Sequence, residues 1–139
     1  MNKFDVAKQF FEACEKPLGW EGCQAFVSPN STFSAQSEPL VGIDSIEGYC
    51  DWMKAFGTIT AAGASYTLHT SAWDETTNTA TFFATYHATH VGDGGPVAPT
   101  NKSTNSHYVY VIQIGDDNLV CGLTKIWNAP WAMTELGWT

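Results

Sequence analysis

Apolar residues near the start of the chain recur at helical spacing and predict three helices. Each helix presents one apolar stripe and is followed by Pro, Gly or Asn residues that break it. The third helix carries the pattern of a capping box, in which Asp44 is the cap and Glu47 lies three residues later, and Gly57 would end it. The stripes are Phe4, Ala7, Phe11 and Cys14 in a helix over Lys3 to Cys14; Trp20, Cys23, Phe26 and Val27; and Ile46, Tyr49, Cys50, Met53 and Phe56.

The pattern changes after Gly63 to runs rich in Thr, Val, Tyr, Phe and Trp, which predict four consecutive strands. A shorter strand is predicted earlier, around Ser31 to Gln36, and the tail Pro130–Gly137 predicts one more helical turn. The four long runs are Ser65–Trp73, Thr79–Val91, His107–Ile114 and Leu119–Trp127.

Helices gathered before strands indicate the α+β class, with three N-terminal helices packed on one face of a curved antiparallel sheet. Such a sheet leaves a concave pocket between the layers, where a small molecule would bind. The 139 residues predict one domain over residues 1–139, because compact domains most often contain about 100–150 residues.

The charge balance limits the classes of ligand that the protein is expected to bind. Six lysines and no arginine face fourteen acidic residues, for a net charge of -8. Nucleic acids and anionic membrane surfaces are bound through cationic side chains, so neither is an expected partner. The ligand is expected to be neutral or cationic. No apolar segment approaches the roughly 20 residues of a membrane span, and no signal peptide precedes the first helix, so we expect a cytoplasmic protein with reduced cysteines.

Two loop motifs and the order of elements carry a resemblance to a known family. Residues 88–93 read A-T-H-V-G-D, similar to the family's G-T-H-T-G-E, and residues 96–102 read P-V-A-P-T-N-K, close to its P-x-x-P-T-G-K. Residues 41–43 resemble its glycine-led helix start, and residues 115–120 with 125–128 resemble its hairpin and closing strand. Over nearly its whole length the chain resembles the nuclear transport factor 2-like superfamily, in its SnoaL-like polyketide cyclase branch.

The resemblance implies a cone-shaped barrel with a pocket for an apolar molecule, and a homodimer formed through the outer face of the sheet. It also implies an intramolecular aldol condensation without metal or cofactor, with an aspartate on the closing strand as acid and base. That position falls at Thr124, or at Asn128 if the register slips by four residues. Neither side chain titrates near neutral pH, so neither acts as a general base.

The histidines offer another base. His90 is predicted near the end of a strand beside the glycine-rich loop Gly92–Pro99, and a histidine has an unperturbed pKa near 6.5, suited to accepting a proton. The alternative is that His90 hydrogen-bonds backbone groups and holds the loop. His87 and His90 face opposite sides of a strand, and His107 is expected to be exposed or at a dimer face, so no metal site is expected. No cofactor is expected either.

Alternation along the strand His107–Ile114 places Tyr108 and Tyr110 on one apolar face and Val109 and Val111 on the other. One face would meet the helices and the pocket, and the other a second subunit. Tyr110 is a candidate to polarise a substrate carbonyl, with core packing as the alternative. The residues expected to contact the ligand are Phe33, Trp52, Tyr86, Tyr108, Thr124, Trp127 and Asn128; Trp131 is a further candidate for an aromatic wall.

Three functions remain open from the sequence. The favoured one is a cofactor-independent enzyme of the cyclase, isomerase or hydratase type that acts on a small apolar carbonyl compound, with His90 as base and Tyr86 or Tyr110 orienting the substrate. The second is a protein that binds a small hydrophobic molecule without changing it, as the missing closing-strand aspartate indicates. The third is an interaction module that uses the outer sheet face.

Overall fold

One curved five-stranded sheet covers the helices in the computed structural model, which describes residues 1–139. Its strand order is β1-β5-β4-β3-β2, and the α+β class predicted from the sequence is confirmed. None of the helices combines the length and apolar character needed to cross a membrane. The helices are α1 (Lys3–Glu15), α2 (Gly19–Cys23), α3 (Ile46–Ala55) and α4 (Ala129–Glu135), and the strands are β1 (Val27–Ala35), β2 (Ser65–Asp74), β3 (Thr79–Thr89), β4 (Ser103–Ile114) and β5 (Val120–Trp127).

Helix α3 begins and ends differently from the prediction. Ser45, not Asp44, is its cap, because the Ser45 Oγ accepts a hydrogen bond of 3.0 Å from the backbone N–H of Gly48. Gly57 does not end the helix, since the chain continues as a π-helical turn over Phe56–Thr60. A Cβ on Gly57 would lie only 3.1 Å from the side chain of Pro17. The absence of a side chain therefore allows close packing at Gly57, rather than a helix stop.

The four-strand meander is confirmed, with β2, β3, β4 and β5 paired antiparallel in sequence order. Strand β1 differs from the expected antiparallel sheet, because it pairs with β5 in parallel, with Phe33 opposite Leu123. Strand β4 begins at Ser103, four residues before the predicted start. Backbone hydrogen bonds from His90 to Lys102 (3.0 Å) and from Asn101 to His90 (2.9 Å) continue the pairing of β3 and β4 to that point.

Helix α1 packs its apolar stripe against the inner face of the sheet. Phe11 stacks on Phe82 with ring centroids 4.7 Å apart and meets Tyr110 edge-on at 4.9 Å. The predicted inner face of β4, including Tyr108, is buried, whereas on its outer face Val109 is half-buried. The outer face is thus uncovered within one chain, and its pairing with a second copy stays a prediction.

Candidate active site

A buried carboxylate lies at the centre of the cone. Glu15 is the last residue of α1 and follows Phe11 by four residues, so it shares the apolar stripe of that helix, and only 3% of its surface is exposed. The Tyr108 hydroxyl donates to Oε2 of Glu15 at 2.7 Å, and the Tyr110 hydroxyl donates to Oε1. The Tyr49 hydroxyl forms a hydrogen bond with that of Tyr110. Both carboxylate oxygens are therefore held by tyrosines from β4.

A buried amine faces this carboxylate. Lys125 lies between Leu123 and Trp127 on the inward side of β5 and is 6% exposed. Its Nζ donates only to the thioether of Met53, at 3.8 Å. Its charge forms no direct ion pair with Glu15, since the only ion pair in the structure joins Lys16 to Glu12. Nζ is surrounded by four aromatic rings, with centroids at 5.1 Å (Tyr49), 5.2 Å (Tyr108), 5.7 Å (Tyr110) and 5.3 Å (Trp127).

Burial shifts both charged groups towards their neutral forms. It lowers the pKa of Lys125 to about 8, although the charges of Glu15 and Cys14 act in the opposite direction. It raises the pKa of Glu15, opposed by the charge of Lys125 and by the tyrosine hydrogen bonds. Paired titratable groups with such opposed shifts are characteristic of acid–base sites. We call Glu15, Lys125, Tyr49, Tyr108 and Tyr110 the charged cluster.

A cavity of about 420 Å³ opens at the mouth of the cone, between α3, the loop after β3 and the C-terminal segment. Glu38 is its only ionisable lining residue, so the cavity suits a mainly apolar ligand. We call it the mouth cavity. Its lining consists of Glu38, Pro39, Trp52, Ala55, Phe56, Thr60, Gly94, Pro96, Met133 and Trp138.

One layer of aromatic rings separates the mouth cavity from the charged cluster. Trp52 and Phe56 line the cavity; Trp52 meets Trp127 at 6.2 Å and Phe56 meets Tyr86 at 6.1 Å. On the inner side, the Trp127 ring contacts Lys125, and Tyr86 lies 6.1 Å from Tyr108. We call Trp52, Phe56, Tyr86 and Trp127 the ring layer. A group that passes it reaches Lys125 and the Tyr108–Glu15 pair.

The same combination of helices and curved sheet occurs in solved structures. A protein from a Jannaschia species, assigned as a SnoaL-like polyketide cyclase, superposes with a TM-score of 0.77 at 12% identity, over 96% of this chain and 90% of that one. A protein from Catenulispora acidiphila with a ketosteroid isomerase-like fold, solved with trimethylamine, gives 0.68 at 9% identity, over 95% and 92%. The chain has a nuclear transport factor 2-like fold. IdmH from Streptomyces antibioticus, assigned as a polyketide cyclase, shares this nuclear transport factor 2-like fold with a TM-score of 0.74 at 13% identity, over 99% of both chains.

No family model matches the chain, and no curated protein is similar enough in sequence to count as a relative. The nuclear transport factor 2-like architecture is therefore shown by the structure, and the chemistry must be argued from the site itself.

His90 is buried beside the mouth cavity. The indole N–H of Trp138 donates to its Nδ1 at 3.0 Å, so Nδ1 carries no proton and the neutral ring carries its proton on Nε2. Nε2 has no hydrogen-bond partner and lies under Gly95, whose Cβ would be 3.0 Å away if it had one. In this tautomer Nε2 donates rather than accepts. Loop-holding backbone bonds are present as well, and the role of His90 as a base stays a prediction.

Three of the predicted ligand contacts, Trp52, Tyr86 and Trp127, lie in the ring layer. The predicted contact Tyr108 and the predicted catalytic residue Tyr110 lie in the charged cluster.

Phe33 lies behind the charged cluster, stacked on Tyr49 at 4.9 Å. Thr124 and Asn128 are exposed and do not line the mouth cavity, and Thr124 pairs with Val111 of β4, so their contact with a ligand stays a prediction. Trp131 is 56% exposed and does not line the mouth cavity.

The other histidines belong to the outside of the sheet. His87 is hydrogen-bonded to Thr67 (2.8 Å) and Asn105 (2.6 Å), whereas His90 is buried, so the prediction that the two face different environments is confirmed. His107 is exposed, as expected. No histidine belongs to a group of three converging potential ligands.

Glu15 and Lys125 are not among the residues predicted from the sequence. Glu15 continues the spacing of the apolar stripe four residues beyond Phe11, and Lys125 alternates in phase with Leu123 and Trp127. In both cases the available signal was a charged residue at a position where the periodicity of the element calls for a buried apolar residue.

Proposed function

We propose that the protein is a cofactor-independent enzyme of the cyclase or isomerase type that performs acid–base chemistry on a small apolar carbonyl compound. One observation carries this proposal: the charged cluster holds a carboxylate and an amine in the cone interior without a direct ion pair between them. Burying such charges unpaired costs stability, and sites of that kind are associated with function.

Glu15 and Lys125 have different roles in the proposed reaction. Glu15 takes a proton from the carbon next to the carbonyl, so the C–H bond breaks and its electron pair forms an enolate. The Lys125 ammonium donates to the carbonyl oxygen and stabilises the developing charge. Returning the proton to the far carbon of a conjugated enolate completes the isomerisation of an unsaturated ketone. In a cyclisation the enolate carbon attacks a second carbonyl, a C–C bond forms, and the resulting alkoxide takes the proton back from Glu15. Tyr108 and Tyr110 position the carboxylate through their hydrogen bonds.

Substrate reaches the charged cluster through the ring layer. The apolar body of the substrate occupies the mouth cavity against Trp52, Phe56 and Trp138, and its carbonyl passes between Trp52 and Trp127 towards Lys125. The Trp52 side chain is half-buried and lines the cavity, which makes it the ring best placed to turn aside. The fold shared with proteins assigned as polyketide cyclases supports chemistry of this class.

Deuterium exchange at the carbon next to a ketone tests the proposal without knowledge of the natural substrate. We would incubate 2-tetralone, a small apolar ketone, with the protein in D₂O and follow loss of its α-proton signals by NMR. The protein should accelerate exchange over buffer, and Glu15→Gln should lower the rate by about 100-fold or more, because a general base contributes 10²–10⁴. Glu12→Gln, on the exposed side of the same helix, is the matched control and should retain the rate. Exchange no faster than in buffer, or unchanged in Glu15→Gln, would contradict the proposal.

A second candidate function is binding of a small alkylammonium ion in the mouth cavity without chemistry. Three aromatic residues, Trp52, Phe56 and Trp138, line the cavity together with the Glu38 carboxylate, and the chain carries a net charge of -8. Aromatic faces with a nearby carboxylate favour cationic ligands. The Catenulispora neighbour solved with trimethylamine supports this candidate.

Calorimetric titration separates the two functions. Tetramethylammonium should bind more tightly than neopentyl alcohol, its neutral counterpart in shape. Glu38→Gln should reduce this preference, whereas Glu47→Gln on the exposed side of α3 should not. Equal affinity for the two ligands would rule out the alkylammonium function.

A further inference from the structure

Three cysteines far apart in the sequence meet inside the helical layer. Cys14 lies in α1, Cys23 ends α2 and Cys50 lies in α3, and each is at most 1% exposed. The Sγ atom of Cys14 is 3.9 Å from that of Cys23 and 3.9 Å from that of Cys50. All three sulfur atoms lie within 4.8 Å of one another. We call these residues the thiol cluster.

The spacing matches three sulfur ligands around one metal ion. Thiolates bind such ions at about 2.3 Å, so three of them in a plane around an ion lie about 4.0 Å apart. Two of the sulfur–sulfur distances, both 3.9 Å, are close to this value. The ligands come from three different helices, so the packing of the helical layer fixes the arrangement before any ion binds.

The surroundings of the thiol cluster select the kind of ion. No histidine or carboxylate joins the three sulfurs as a fourth ligand. Their burial excludes the water that completes a three-ligand zinc site. Thiolate ligands alone are soft and favour Cu(I), which accepts three-coordinate sulfur sites, over harder divalent ions.

We propose that Cys14, Cys23 and Cys50 form a three-sulfur site for a soft monovalent metal ion, with Cu(I) as the ion that fits it. Binding forms three S–Cu bonds, and the thiol protons pass to the solvent. The copper enters and stays as Cu(I), so no oxidant or reductant takes part. This site is not visible as a motif in the sequence, because Cys23 and Cys50 lie 9 and 36 residues after Cys14.

Anaerobic titration of the whole protein with Cu(I), in competition with the chromophoric chelator bathocuproine disulfonate, tests this site. We expect one ion per chain, a sulfur-to-copper charge-transfer band in the near ultraviolet, and three sulfur neighbours by X-ray absorption. Cys23→Ser and Cys50→Ser should each weaken binding by at least about 100-fold, since loss of even an outer partner of a ligand costs 10–100-fold.

Cys121→Ser is the matched control, because Cys121 is half-buried on β5 and lies outside the thiol cluster. It should leave Cu(I) affinity unchanged. Should a cluster variant fail to fold, the sulfur count of the copper-loaded wild type decides the question by itself. Fewer than three sulfur ligands, no retention of Cu(I) against the chelator, equal affinity in a folded Cys50→Ser, or tighter binding of Zn(II) than of Cu(I) would each overturn the proposal.

Discussion

The mouth cavity and the charged cluster differ in the two properties that binding and chemistry need. The cavity offers about 420 Å³ and aromatic walls, with Glu38 as its single ionisable group. The charged cluster offers a carboxylate and an amine, Glu15 and Lys125, which are 3% and 6% exposed. The mouth cavity therefore has space and one ionisable group, whereas the charged cluster concentrates two buried ionisable groups, and its Lys125 lines a separate cavity of about 370 Å³ between β1 and β5. The difference assigns affinity to the cavity and reactivity to the cluster, so substitutions in the two regions should have separable effects.

Lys125→Met is expected to have the largest effect, because it removes the cation from the cluster and leaves the cavity intact. The α-proton exchange rate should fall by about 100-fold or more, as when a group that stabilises an oxyanion is removed. Ligand affinity of the mouth cavity should stay unchanged. Equal losses of rate and affinity would show that the two regions do not act separately.

The same substitution should change how stability depends on pH. The pKa of Lys125 is about 8 in the folded chain against 10.5 for an ordinary lysine, so between these values the unfolded chain binds more protons. Stability should therefore rise with pH in this window, by about 2 kcal/mol between pH 7 and pH 10 from this group. Above about pH 9 the buried Cys14, and above pH 10 the buried tyrosines, act in the opposite direction, because burial raises the pKa of these groups. Urea unfolding at pH 7, 8, 9 and 10 should show the rise in wild type and lose it in Lys125→Met.

Tyr110→Phe should have an intermediate effect on rate. It removes a hydrogen bond to the Glu15 carboxylate, and the pKa of Glu15 should rise further because that bond lowers it. The pH at which exchange reaches half its maximum should shift upwards, with a loss of about tenfold at neutral pH from one unit of that shift. Tyr66→Phe is the control, since Tyr66 packs against Phe11 without contacting the carboxylate. A lower rate with an unchanged pH profile would contradict the positioning role of Tyr110.

Trp138→Phe should have the smallest effect and bears on His90. The ring remains in the cavity wall, but the N–H that fixes the His90 tautomer is lost. Unfolding should become easier by about 1 kcal/mol, the contribution of one hydrogen bond. The His90 ring nitrogens, followed by ¹⁵N NMR, should change from a single tautomer in wild type to a mixture in the variant. A mixture already present in wild type would contradict the claim that the Trp138 N–H fixes the tautomer, and Nε2 could then accept a proton.

Much of the fold was predictable because it follows local periodicity. Alternation along β4 placed Tyr108 and Tyr110 on the inner face, and the α1 stripe gave the surface that covers them. The parallel pairing of β1 with β5 was not predictable, because an edge strand carries no signal for its direction.

The centre of the candidate site was not predicted, since it depends on contacts between distant parts of the chain. Glu15 meets Tyr108 across 93 residues, and its burial is stabilised only once α1 has packed on β4. Lys125 was missed because the family resemblance pointed to Thr124, one residue earlier on the opposite face of the strand. A register shift of one residue along a strand exchanges its inner and outer faces. On β5 it replaces the exposed hydroxyl of Thr124 with the buried amine of Lys125.

The titration of Lys125 tests most directly the claim that a buried amine faces the Glu15 carboxylate. The protein has six lysines, and their ε-carbon NMR signals can be followed against pH, with Lys125→Met identifying the resonance of interest. The account predicts that the Lys125 signal titrates with a midpoint near 8. A Lys125 midpoint near 10.5, the ordinary value for a lysine, would contradict it, because Lys125 would then be in contact with water and the charged cluster would not exist as described.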